Sequence, residues 1–150
     1  MELHFRHAKA NDPELLQLTN ALDDSFCKMY GALAPQYQKH YDLTILDCRM
    51  LAVQGEAAVG CGGWQRLNET TAEIQRIYVV PEQRRQGIAW TLVRILENDA
   101  RRQGCKRTVL AAGIEAYSAL AFYQSCGYSF CEAFGDFANN KNCVCMEKWI

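Results

Sequence analysis

Arg84-Arg85-Gln86-Gly87-Ile88-Ala89 joins two cations and a glycine to the opening of a helical apolar pattern. The apolar run Ile74-Gln75-Arg76-Ile77-Tyr78-Val79-Val80 and then Pro81 precede it. A strand, a Pro-marked turn and a basic loop therefore lead into a helix N-terminus. Unpaired backbone N–H groups and the positive end of a helix dipole converge at such a point, which is a binding place for phosphate. Gly87 lets the backbone approach an anion without a Cβ between them, and Arg84 and Arg85 add charge. The ligand chemistry implied is a pyrophosphate-bearing cofactor. The loop has neither the Lys-Ser/Thr pair of a nucleotide-hydrolysing P-loop nor the three-glycine dinucleotide fingerprint. Six residues alone are equally compatible with an ordinary basic helix cap in water, so the flanking elements must decide.

Those elements can be read from periodicity. Leu3 and Phe5 alternate with His4 and Arg6, giving a strand over 2–7. Asn11-Asp12-Pro13-Glu14 supplies an N-cap, a first-turn proline and an acid, ahead of Leu15, Leu16, Leu18 and Leu22 at helical spacing. The stretch from Asp23 to Tyr41, broken at Gly31 to Pro35, reads as one or two short helices. Residues 50–54 read as a strand, Gly55-Glu56 as a tight turn, and residues 57–67 as the partner strand. Gly60, Gly62 and Gly63 in that partner mark a bulge or the close approach of another backbone. Residues 71–80 complete a meander, with a bulge near Gln75–Arg76 to reconcile the phases of Ile74 and Ile77. Ile88, Leu92, Ile95, Leu96 and Ala100 form one helical face, closed by Arg101, Arg102 and Gly104. A buried strand over 108–112, a helix over 116–125 and strands over 128–131 and 142–149 complete the chain.

A chain of 150 residues suits one domain, expected to span 1–150. Its hydrophobic fraction of 49% and charged fraction of 22% are those of a globular protein in water. The net charge of -1 gives no global basic footprint for nucleic acid; the local cluster Arg101, Arg102, Lys106 and Arg107 is balanced by acids elsewhere. No apolar run approaches the ~20 residues that span a bilayer, and the N-terminus lacks the apolar segment of a signal peptide. Eight cysteines are scattered through apolar contexts, without a Cys-x-x-Cys pair or zinc-ligand spacing. Most read as small buried hydrophobes in a reducing cytosol, with no metal expected. The expected location is therefore cytoplasmic.

Three motifs in order carry a family resemblance. Glu73-Ile74-Gln75-Arg76-Ile77-Tyr78-Val79, residues 84–89 and Ala121-Phe122-Tyr123-Gln124-Ser125-Cys126-Gly127-Tyr128 resemble the cofactor strand, pyrophosphate loop and tyrosine-containing ending of the GNAT superfamily of acyl-CoA N-acyltransferases. The resemblance is most specific from Ala72 to Tyr128, and the order of elements extends it along the chain. It implies an α/β (α+β) GNAT fold. That fold has a mixed, mostly antiparallel sheet of six to seven strands flanked by about four helices. Two parallel strands, here 72–80 and 108–112, splay at the cofactor cleft. It implies acetyl-CoA as acyl donor, with the pantetheine arm paired to the backbone around Ile77, Tyr78 and Val79. Arg84, Arg85, Gln86, Gly87, Ile88, Ala89 and Trp90 would surround the pyrophosphate.

The same resemblance assigns chemistry. Amine attack on the thioester gives a tetrahedral intermediate that expels a thiolate, and Tyr123 matches the family tyrosine that protonates or hydrogen-bonds that sulfur. Its alternative is a core aromatic among Leu120, Phe122 and Tyr128. Glu73 matches a carboxylate that accepts the amine proton directly or through water. At an ordinary pKa near ~4.3 it would need burial or a relay to serve as a base; its alternative is a strand-face acid paired with Arg76 or Arg66. The family often carries a polar residue seven positions before the tyrosine, but Ala116 stands there, which puts that cofactor contact in doubt. On the acceptor side, Asp24 and Tyr30 belong to an acidic-aromatic group with Asp23, Phe26, Tyr37, His40 and Tyr41, and Asp136 lies in the loop before the last strand. These could hold a cationic amine, although a helix that packs aromatics inward and leaves its acids in water gives the same composition. The expected function is acetyl transfer from acetyl-CoA to a primary amine of a small molecule or peptide through a ternary complex. The competing function is a non-catalytic CoA-binding sensor or partner-binding module. No nucleic-acid or membrane partner is expected, and the sequence leaves homodimer formation open.

Overall fold

The computed structural model describes residues 2–31 and 42–150, apart from the side chains of Tyr30, Asp136 and Asn139. Seven strands are hydrogen-bonded in the order β1-β2-β3-β4-β5-β7-β6. In chain order they are β1 (Leu3–His7), β2 (Cys48–Gln54), β3 (Ala57–Arg66), β4 (Thr71–Val79), β5 (Arg107–Gly113), β6 (Ser129–Cys131) and β7 (Cys143–Trp149). Three α-helices are described: α1 (Pro13–Tyr30), α2 (Ile88–Arg102) and α3 (Tyr117–Ser125). No helix among the described residues is long and apolar enough to cross a membrane. Two compact units are distinguishable, residues 1–65 with 74–96 and residues 66–73 with 97–150.

In the first unit, the N-cap forms as its residues dictate. Asp12 accepts the amides of Glu14 at 2.9 Å and Leu15 at 3.3 Å, and Arg6 from β1 reaches Asp12 at 3.0 Å and Glu14 at 3.2 Å. Helix α1 does not stop before Asp23, where a separate short helix is expected from sequence. It continues unbroken to Tyr30, because no breaker occurs before Gly31, which takes φ 54° and donates its amide to Cys27. Residues 32–41, with Tyr37, His40 and Tyr41, lie outside the described residues. Leu15 and Leu18 of α1 pack with Leu51, Val53, Cys61 and Tyr78.

The glycines of β3 answer a packing need. A Cβ on Gly62 would lie 2.5 Å from Ile77 Cδ1 and 3.1 Å from Leu96, and one on Gly60 would lie 3.2–3.3 Å from the Tyr78 carbonyl, Ile88 and Leu92. They let the first turns of α2 settle on the strand. The break in alternation along β4 falls at Arg76, whose φ is 61°, next to the expected phase change.

In the second unit, β5 pairs antiparallel with β7, and β7 with β6. The parallel register of β4 with β5 comprises Thr71↔Arg107, Ala72↔Thr108 and Glu73↔Val109. Helix α2 makes the crossover that a parallel pair requires. The two strands extend further, to Val79 and Gly113. None of the eight cysteines is in a disulfide, and six are buried, in keeping with their apolar sequence contexts.

Candidate functional site

The basic loop in the first unit adopts a conformation suited to an anion. After β4, a single 3-10 turn spans Pro81–Gln83, closed by Gln83 N–H to the Val80 carbonyl at 3.0 Å and Arg84 N–H to the Pro81 carbonyl at 3.3 Å. Arg85 and Gly87 then take left-handed φ values of 65° and 80°. The first bond of α2 runs from Thr91 N–H to the Gly87 carbonyl at 3.0 Å. The amides of Gly87, Ile88, Ala89 and Trp90 precede that bond, so helix geometry gives them no acceptor. Left-handed turns at a helix start make such amides converge into an anion-binding concavity. Ile88, 3% exposed, anchors this end of the helix beside Gly60.

The side chains around the loop divide their roles. Arg84 folds back: its Nε donates to the Val79 carbonyl at 2.8 Å and its guanidinium lies 5.4 Å from the centre of the Tyr78 ring. Its charge therefore braces β4. Arg85 is exposed, and Gln86 donates to Gln83 Oε1 at 3.2 Å. Trp90 is exposed and stacks with Arg94, 5.3 Å from its ring centre. Tyr78 faces the core, so any cofactor contact from this residue would come through its backbone. Ile77 is half-buried against the helix. A Cβ on Gly87 would meet nothing within 4 Å, so within the protein glycine is required there for backbone conformation and not for space.

At the Arg76 kink, the guanidinium is buried and directed at α1. Its Nη2 donates to Asp23 at 2.7 Å and to the Thr19 carbonyl at 3.0 Å. Asp24, one residue on, is exposed. Asp23, therefore, is the acid that α1 turns toward β4, while the side chains of Tyr30 and Asp136 lie outside the described residues. Gln75, also buried, donates to Gln65 Oε1 at 3.0 Å.

Glu73 and Tyr123 belong to the second unit. Glu73 is buried on the last described rung of the parallel ladder, with its charge near the Cys145 thiol. Arg66 is directed at the carbonyls of Glu69 and Gln103. Tyr123 on α3 is half-buried, with its ring edge-to-face against Tyr128 at 6.0 Å, and its phenol has no hydrogen-bond partner among the described residues. Burial, with a smaller effect of the Cys126 thiol, raises its pKa above the ordinary tyrosine value, so the phenol keeps its proton at neutral pH. Ala116 precedes α3 without a side-chain cap.

Sequence reading missed one network. Glu97 is 2% exposed on α2. It accepts the Tyr128 hydroxyl at 2.9 Å and Lys148 Nζ at 3.0 Å, while Thr108 Oγ1 lies 2.7 Å from the same hydroxyl. The signal was its helical position, four residues after the buried Val93. The network fixes Tyr128, and through its ring the flank of Tyr123.

Residues 15–128 match the Acetyltransferase (GNAT) family, and the chain belongs to that family. It is 28% identical to a putative acyl-CoA N-acyltransferase from Klebsiella pneumoniae, covering 98% of this chain and 97% of that one, with a TM-score of 0.81. A GNAT acetyltransferase from Elizabethkingia anophelis, solved with acetyl-CoA bound, shares the fold at 20% identity and a TM-score of 0.74, over 99% and 98% of the two chains. The uncharacterized N-acetyltransferase YsnE of Bacillus subtilis is 29% identical over 65% of this chain. Human N-acetyltransferase 8 is 37% identical over 55% of it. The matched stretches span 66% and 38% of those two relatives.

Proposed function

We propose that the protein is an acetyl-CoA-dependent N-acetyltransferase that acts on a primary amine of a small molecule or peptide. On this reading, residues 1–150 act as one catalytic domain. The observation that carries the reading is the run of amides at Gly87–Trp90, which helix geometry leaves without a backbone acceptor among the described residues, following the left-handed Arg85 and opening on the left-handed Gly87. These amides would hold the diphosphate of the donor, with Arg85 adding charge. Arg84 stiffens β4 so that the backbone of Ile77 and Val79 can pair with the pantetheine arm. Bound acetyl-CoA supplies an activated acetyl thioester. Tyr123, protonated at neutral pH, donates its proton to the departing sulfur. Glu73, buried in β4, takes the proton that the amine must lose, directly or through water. Family membership supports acyl transfer, and a Tyr123 phenol without a hydrogen-bond partner among the described residues favours a catalytic protein over a passive binder.

The test is acetylation of a primary-amine panel with acetyl-CoA, followed by release of free thiol. Thiol release that depends on the amine is expected. Tight CoA binding without transfer to any amine would overturn the catalytic assignment.

A further inference from the structure

Gln75 is 3% exposed, yet its Oε1 is buried with no hydrogen-bond partner among the described residues. Its Nε2 donates to Gln65 Oε1 at 3.0 Å. Cores rarely keep an unmet acceptor, because leaving one costs stability. A methionine would fill the same volume without that penalty. An oxygen held in this way has a use if a ligand brings the missing donor.

The position along the strand says which ligand. The inference rests on the proposed function: with the diphosphate at residues 87–90, the pantetheine arm runs back from Val79 to Ile77. Continuing in that direction, the reacting end arrives at the Arg76 kink and Gln75. Arg76 Nη2 is already bonded to Asp23 and the Thr19 carbonyl, and Gln75 beside it offers a neutral acceptor. A neutral acceptor suits an amine that must be uncharged to attack, because a carboxylate in its place would favour the ammonium form. A primary amine carries two N–H groups. One can bond to Gln75 while the other is the proton lost after attack; a secondary amine has only one for both purposes.

We infer that Gln75 Oε1, held by Gln65, accepts an N–H of the acceptor amine and is a specificity-determining contact that selects primary over secondary amines.

The experiment uses the full chain and two variants, Gln75→Met and Gln65→Ala. The measurements are CoA affinity by titration calorimetry, the Tm of the free protein, and kcat/KM for phenethylamine and N-methylphenethylamine. Gln75→Met is expected to lower kcat/KM for phenethylamine about 30-fold and leave the N-methyl compound within twofold. It should also keep CoA affinity and raise Tm by about 3 °C as the unmet acceptor disappears. Gln65→Ala, at a half-buried position, should erode the same preference about fivefold. A preference unchanged by Gln75→Met, or a Tm that falls in that variant, overturns the inference while amine acetylation by the unaltered protein leaves the functional reading standing. A silent CoA titration with the unaltered protein removes that reading, and the inference with it.

Discussion

Two glycines at opposite ends of α2 allow the anion cradle to be separated from fold stability. Gly87 takes φ 80° before the helix and Gly104 takes φ 94° after it, and a Cβ on either would meet nothing within 4 Å. Replacement by alanine therefore adds no clash at either site. It imposes only the left-handed cost for a residue with a side chain, about 1–2 kcal/mol. For a chain of this size that lowers Tm by about 2–8 °C, and the two variants should fall together. Their effects on CoA should differ. Alanine at 87 favours a loop in which the amides of 87–90 no longer converge, and each lost charge-assisted hydrogen bond is worth about 1.5–3 kcal/mol. Gly87→Ala should thus weaken CoA about 10- to 100-fold, whereas Gly104→Ala should leave it within twofold. Scanning calorimetry and CoA titration of both variants decide the matter. Equal CoA affinity in the two variants, with equal losses in Tm, would refute the assignment of the cradle.

Tyr123→Phe should lower kcat about 10²–10⁴-fold and leave CoA affinity within twofold, measured by steady-state kinetics and calorimetry. Because its pKa is raised, loss of the Tyr123 proton should produce no alkaline fall in kcat below about pH 10. Burial pushes the Cys61 thiol up to about 12 from its ordinary 9.0. The unfolded chain then loses that proton first, so stability from this group is intact below pH 9 and declines toward pH 12, at about 1.4 kcal/mol per pH unit. Urea unfolding across that window should show the slope, and Cys61→Ala should reduce it. Lys148→Met leaves the buried Glu97 carboxylate without its cation and should cost about 2–4 kcal/mol in urea unfolding. Double replacement with Glu97→Leu should recover part of that loss.

Where local chemistry dictated structure, the sequence was legible. The Asp12 cap, the Gly55 turn, the apolar face of α2 and the kink at Arg76 all follow from residues acting on their neighbours. The loop before α2 was legible because its conformation depends on Gly87 and a helix start. Long-range pairing was not. Asp23 and Asp24 look alike in sequence, and only the buried Arg76 guanidinium, 53 residues away, selects Asp23. Arg84 reads as a phosphate ligand, but the Val79 carbonyl and the Tyr78 ring hold its guanidinium on β4. Glu97 acquires its partners, Tyr128 and Lys148, only from later in the chain. Gln75 carries no sequence signal, because its unmet oxygen exists only once Gln65 from β3 lies beside it.

The central claim is that backbone amides at residues 87–90 grip a diphosphate. Calorimetric titration of the unaltered protein with CoA and, separately, with pantetheine, which lacks the diphosphate, tests it most directly. Binding of CoA at least 100-fold tighter than pantetheine is the predicted result; equal affinities, or no heat with CoA, would contradict it.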